Sequence, residues 1–172
     1  TGFVGTDTFS YTVSTPDGAG GTITETGTIT VTVTDPNDAP TVAAPNFQNV
    51  AEDTALVFAA ANGNAITVAD NDGDPVSITL SLTHGALSIT DAGTLGGGGA
   101  TFAGQGSNTL IIAGSVADVN AALEGLTHLA VGDYNGADSI ALSVDDGTAA
   151  PVTGNMLVNV AAVGDVVDDT VT

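Results

Sequence analysis

Polar and apolar residues alternate with a period of two along much of the chain. From Thr22 to Thr34 every even position is threonine, while Ile23, Ile29, Val31 and Val33 occupy odd positions. Strict alternation of β-branched residues predicts a strand with one buried face. In the preceding segment Phe9, Tyr11 and Val13 alternate with Thr8, Ser10 and Thr12, and Pro16-Asp17-Gly18-Ala19-Gly20-Gly21 lies between as a turn-forming run. The pattern predicts an antiparallel hairpin.

That hairpin occurs twice. Phe3 to Val13 aligns with Tyr134 to Val144, with Gly5/Gly136, Asp7/Asp138 and Val13/Val144 identical, and the Thr-Gly start at Thr26 recurs at Thr153. The spacing is about 130 residues, the signature of a linear array of domains. Residues 1–34 read as the closing hairpin of a preceding β-sandwich repeat, and residues 35–40, Asp-Pro-Asn-Asp-Ala-Pro, as a linker. Residues 41–163 read as one complete repeat and 164–172 as the start of the next, with Asp165 aligned to Asp38. Within the complete repeat, strands are predicted near residues 55–59, 65–69, 76–82, 86–90, 109–112, 139–144 and 156–160. One short helix interrupts them: Ser115 can cap it, Asp118 suits its first turn, Val116, Val119 and Leu123 form its apolar face, and Gly125 ends it. The predicted fold class is all-β, an antiparallel β-sandwich with one short helix.

Charge narrows the functional classes. The chain carries 20 acidic side chains, no lysine or arginine, no cysteine, and a formal net charge of -20. Such a surface lacks the electrostatic footprint of a nucleic-acid or anionic-membrane ligand. Without cysteine, thiolate chemistry and cysteine-held metals are excluded. No apolar run approaches a membrane span and no leader pattern is visible, so no membrane insertion is expected and the chain reads as part of a longer soluble protein. No carboxylate can pair with a lysine or arginine of its own chain, so clustered acids repel one another unless a cation joins them.

Three acidic segments stand out: Asp35, Asn37 and Asp38 in the linker; Asp70, Asp72 and Asp74 in Val-Ala-Asp-Asn-Asp-Gly-Asp; and Asp145 and Asp146 at the last hairpin turn. In a two-sheet sandwich of immunoglobulin type these loops share one pole. Calcium takes six to eight hard oxygens from such groups. The linker resembles the calcium-binding linker of cadherins, Asp-x-Asn-Asp-Asn: Asp35, Asn37 and Asp38 match, and Ala39 departs from the final Asn. Asp70-x-Asp72 matches the family's Asp-x-Asp. Glu52 falls where cadherin repeats place a calcium-binding glutamate, and Asp133 stands near the position of the family's Asp-Arg-Glu motif, which this arginine-free chain lacks. As a whole the chain is similar to cadherin-like, immunoglobulin-like tandem repeats of large bacterial surface adhesins and RTX-type proteins. The resemblance implies Ca2+ as cofactor, with Asp35, Asn37, Asp38, Glu52, Asp70, Asp72, Asp74, Asp133, Asp145, Asp146 and Asp165 as candidate ligands.

Other chemistry fits less well. An EF-hand at Asp70 fails because Pro75 stands at the required glycine and Ser81 at the bidentate glutamate. Gly96–Gly99 is not followed by the lysine of a phosphate loop. Adjacent carboxylates such as Asp145/Asp146 or Asp168/Asp169 point apart, whereas glycoside hydrolysis needs them facing across a substrate. No Gly-x-Ser-x-Gly elbow occurs. His84 and His128 have no histidine or cysteine partner at zinc spacing, so structural roles are expected. An enzyme is not expected. The leading reading is a structural or adhesive repeat of an extracellular fibre or cell-surface adhesin, stiffened by Ca2+ and joined end to end to neighbouring repeats or identical subunits. The alternatives are a module binding a surface glycan, peptide or protein, and a halophilic domain whose acids are merely solvated.

Overall fold

The computed structural model describes residues 3–89 and 99–164. The chain divides into two compact units, Thr1–Pro36 and Asn37–Thr172. The described residues are all-β apart from one α-helix and one short 3-10 turn, so the predicted fold class holds. Among the described residues no helix is long and apolar enough to cross a membrane.

The first unit is the predicted hairpin. Strand β1 (Gly5–Pro16) pairs antiparallel with β2 (Thr22–Val33). Because the register sets Thr8 opposite Thr30, Ser10 opposite Thr28 and Thr12 opposite Thr26, one face is a ladder of hydroxyls. The other carries Phe9, Tyr11, Val13, Ile29, Val31 and Val33. Tyr11 lies across from Gly27, and its ring occupies the space that a Cβ there would fill. Asp17 closes the turn: its Oδ1 accepts the N–H groups of Ala19 and Gly21, each at 2.8 Å.

The second unit builds two sheets around one core. Its remaining strands are β3 (Thr41–Ala43), β4 (Phe47–Ala51), β5 (Leu56–Phe58), β6 (Thr67–Ala69), β7 (Val76–Ser81), β8 (Ala86–Ile89), β9 (Thr101–Ala103), β10 (Thr109–Gly114), β11 (Leu126–Leu129), β12 (Gly136–Asp145) and β13 (Val152–Ala161). A six-stranded sheet runs β4-β13-β12-β7-β10-β9, and a three-stranded sheet runs β5-β11-β8. A small pair, β3-β6, completes the unit. Inward positions alternate as the period-two pattern requires: Val76, Ile78 and Leu80 from β7, Ile140, Leu142 and Val144 from β12, and Met156, Val158 and Val160 from β13 are all buried. Phe58, Leu87 and Leu126 join the same core from the three-stranded sheet. One pairing departs from the antiparallel expectation: β4 runs parallel to β13 along the sheet edge. Its sequence, Phe-Gln-Asn-Val-Ala, shows no clear alternation, because an edge strand of five residues is only half-covered.

Two devices tie the layers. Helix α1 (Val116–Leu123) is capped by Ser115, whose Oγ accepts the Asp118 N–H at 3.2 Å, and it buries Val119, Ala122 and Leu123. From the same helix Asn120 bonds β6 as a strand would: Oδ1 accepts the Val68 N–H and Nδ2 donates to the Val68 carbonyl, both at 2.8 Å. On the opposite side of β5, Asn64 accepts the Ala59 N–H and donates to the Val57 carbonyl and the Gln48 side chain.

The closing pair β12–β13 repeats the first hairpin in backbone detail. Gly5 pairs with Val33 as Gly136 pairs with Val160, and Phe9 with Ile29 as Ile140 with Met156. Tyr11 faces Gly27 as Leu142 faces Gly154. Gly5 and Gly136 share an uncommon backbone angle, φ +140 and +141, and each lies beneath the aromatic ring two residues before it, Phe3 or Tyr134. The two hairpins thus share register and glycine conformation.

Removing the Asn120 amide leaves the Val68 N–H and carbonyl without their partner, and each lost bond of this kind costs about 1 kcal/mol. Asn120→Ala is expected to lower unfolding stability by about 2 kcal/mol, measured by urea denaturation against the parent chain.

Candidate functional site

At the end of the second unit where the chain enters it, three acidic loops meet. Asn37 Nδ2 donates to Asp146 Oδ2 at 2.9 Å. The Asp38 N–H donates to Asp72 Oδ2 at 2.6 Å, and Asn71 Nδ2 donates to Asp38 Oδ2 at 3.1 Å. These bonds join the linker to the loop after β6 and to the β12–β13 turn. Each loop is also braced internally. Asp70 Oδ1 accepts the N–H groups of Asp72, Gly73 and Asp74 at 3.0, 2.9 and 3.2 Å. In the turn, Asp145 Oδ1 accepts the Gly147 N–H, and Asp146 Oδ1 accepts those of Thr148 and Ala149, all at 2.8 Å. The Asn37 amide, followed by the Thr148 and Ala149 N–H groups, holds the Asp146 carboxyl below the ordinary aspartate value.

The donor set suits a hard divalent cation. Asp70 Oδ2 is buried and has no hydrogen-bond partner, although Oδ1 of the same carboxylate is fully used. A groove of about 410 Å³ is lined by Asp38, Ala39, Thr41, Ala69, Asp70 and Asn71, which places both carboxylates on one solvent-filled space. Carboxylate, amide and backbone oxygens are the ligands that calcium selects. Among the described residues, no three Asp, Glu or His side chains are arranged to hold one metal ion. Asp145 and Asp146 line a separate cavity with Gly147. Asp74 joins the cluster through its backbone N–H, and Asp35 belongs to the first unit.

Two other candidates sit elsewhere. Glu52 is buried just past β4; its Oε1 accepts the Val163 N–H at 2.6 Å and its Oε2 accepts from Asn135 Nδ2 at 3.3 Å. Asp133 is nearby, its N–H donating to Asp53 Oδ1 at 3.4 Å, and both aspartates hold a left-handed backbone, φ +59 and +56. These groups stand at the start of β12, whereas Asp145 and Asp146 stand at its end, ten residues and roughly 30 Å away. The candidate ligands therefore divide between the two ends of the unit. Asp165 lies outside the described residues.

A further polar cluster did not emerge from sequence reasoning. Asp138 continues the inward series of Ile140, Leu142 and Val144, and its carboxylate is buried at the end of the core. Its oxygens accept the Thr83 and His84 N–H groups at 3.3 Å and that of Ser139 at 2.8 Å. His128 Nε2 approaches Oδ2 at 3.4 Å, and His84 Nδ1 approaches Oδ1 at 3.7 Å. The His84 ring stacks on Tyr134, with centroids 4.1 Å apart, and the Tyr134 hydroxyl donates to the Ala137 carbonyl at 2.7 Å. Gly85 makes the approach possible: at φ +130 its bare Cα abuts the Leu129 carbonyl, which a Cβ would strike. The signal was present as the Asp7/Asp138 identity, in phase with the apolar positions. The two histidines are the only side chains of this chain able to carry positive charge, and both face the buried Asp138 carboxylate.

No protein-family model and no curated protein matches the chain.

Two outcomes are expected. A group whose folded pKa is depressed contributes stability above the ordinary aspartate range and loses it as pH falls through the folded value. Asn37→Ala removes the largest cause of that depression, so the Asp146 carboxyl should titrate at higher pH in the variant, read by carboxyl-carbon NMR. Asp138→Ala removes the acceptor of the part-buried Thr83, His84 and Ser139 N–H bonds and is expected to destabilise by about 1–3 kcal/mol in thermal or urea unfolding.

Proposed function

We propose that this chain is a structural, adhesive repeat of an extracellular or cell-surface protein, in which Ca2+ bound at the acidic ends of the sandwich fixes each repeat to the next. The observation that carries the reading is the convergence of the linker, the Asp70–Asp74 loop and the Asp145–Asp146 turn. Asn37, Asp38 and Asn71 lace these loops together in a chain with no lysine or arginine to neutralise them. The free Oδ2 of Asp70 supplies the first ligand; side-chain rotation of Asp38 and Asp72 and backbone carbonyls complete the shell. Glu52 and Asp133, at the far end, serve the following junction together with the next linker, of which Asp165 is part.

The mechanism is mechanical. A divalent ion between opposing aspartates replaces their repulsion by shared coordination and restricts the linker to one geometry. Neighbouring repeats, in the same chain or in identical subunits end to end, are the partners. The alternative, a module for a glycan or peptide, rests on the shallow cleft of about 230 Å³ beside the His84–Tyr134 stack, lined by Thr83, His84, Ala137, Asp138, Ser139 and Leu157.

Calcium titration decides. Calorimetry should show saturable binding, with a rise in thermal midpoint that Asp70→Asn and Asp72→Asn diminish. Because the ligands must be ionised, Ca2+ should also shift acid unfolding to lower pH. If stability depends only on ionic strength, equally for Na+ and Ca2+, the acids are merely solvated and the calcium reading falls.

A further inference from the structure

Six apolar residues on one face of the first hairpin, Phe9, Tyr11, Val13, Ile29, Val31 and Val33, are between 40% and 53% exposed, and Ile23 on the same face is 56% exposed. Their six counterparts in β12–β13 are 0% to 2% exposed. Register, the paired glycines and the inward aspartate are shared, so the difference lies in what covers each pair. In the complete unit three things do so. Strand β7 joins the free edge of β12, running antiparallel from Ala141 to Asp145. Strand β4 joins the free edge of β13 in parallel, from Leu157 to Ala161. Finally, β5-β11-β8 packs over the apolar face.

We infer that the first hairpin is a docking surface for the opening strands of another sandwich of this same plan, with β1 receiving an antiparallel strand along Ser10–Ser14 and β2 a parallel strand along Thr30–Thr34. The partner also brings donors to Asp7. In the complete unit Asp138 receives two N–H groups from the Thr83–Gly85 turn in addition to that of Ser139, whereas among the described residues Asp7 has the equivalent local bond alone, from the Thr8 N–H at 2.8 Å. A turn shaped like Thr83-His84-Gly85 in the partner satisfies it. Strands β1 and β2 contain two acidic side chains, Asp7 opposite Val31 and Glu25 opposite Val13. The counterpart of Glu25 is Val152, which is only half-buried, so Glu25 falls at the rim of the covered face. The inference extends the repeat organisation proposed above and is independent of calcium.

The test supplies the missing partner from the chain itself. Residues 41–131, which contain β3 to β11, are fused ahead of residue 1 of the full 172-residue chain, reproducing the element order of the complete unit with β1 and β2 as its closing pair. Amide exchange in β1 and β2 should slow on the order of 100-fold relative to the unfused chain. Asp7→Ala in the fusion should remove part of that protection. Since Phe9 and Tyr11 are bulkier than Ile140 and Leu142, a second fusion carries Phe9→Ile, Tyr11→Leu and Ile29→Met. If both fusions leave β1 and β2 exchanging at the unfused rate while Asn37–Thr172 stays folded, the inference is overturned. It is equally overturned if the unfused chain forms a dimer that protects these amides and that Phe9→Asp dissolves, because the face then belongs to a second copy. Running every arm with chelator and with Ca2+ separates this result from any failure of the calcium reading.

Discussion

A chain without lysine or arginine must satisfy its carboxylates by other means, and much of this structure is organised by that constraint. Backbone N–H groups do most of the work. Asp17 and Asp146 hold the two hairpin turns, Asp70 winds the loop after β6, Glu124 accepts the Ala60 N–H at the helix end, and Glu52 fastens the chain as it leaves β13. In most proteins an acidic side chain is free to find a cation. Here these five accept backbone N–H groups, and the loops take their shape from them. The same constraint explains why the acids gather at turns and strand ends, where unpaired N–H groups are available, and why the strand interiors use Thr and Ser for their exposed face.

The parts of the fold that repeat and alternate were legible in the sequence. Both hairpins, the strands around Val76, Ala86 and Thr109, and the Ser115-capped helix follow from period and capping chemistry. Strands β3, β4, β9 and β11 were not foreseen. They are three to five residues long, too short for a period to register, and they exist because a neighbouring strand offers an edge. The convergence of the acidic loops was legible because loop order in a sandwich fixes which turns share an end. The separation of Glu52 and Asp133 from that end depends on the direction of β12, and the Asp138 cluster on a contact between residues 84, 128 and 138, which no local pattern encodes. A charged residue in phase with the apolar positions of a strand is the clue that points inward.

The buried Asp138 also shows how polar and apolar organisation meet. Its position is dictated by the strand, its burial by the sheet above it, and its acceptability by a turn that can approach only because Gly85 has no side chain. Burying a carboxylate costs free energy unless its oxygens are met. What the arrangement adds is a fixed register: a shift of β12 by one residue would turn Asp138 outward and place Ser139 in the core.

The parallel edge pair has a consequence for load. The chain enters the second unit beside Asp146 and leaves it beside Glu52, so the two attachment points lie at opposite ends of the long strands. A pull between them draws β4 and β13, which run in the same direction over five residue pairs, past each other along their length. Their hydrogen bonds are then strained together in shear instead of being opened one after another from an end. A hairpin seized at its open end peels, whereas a parallel pair seized at opposite ends must slip all at once.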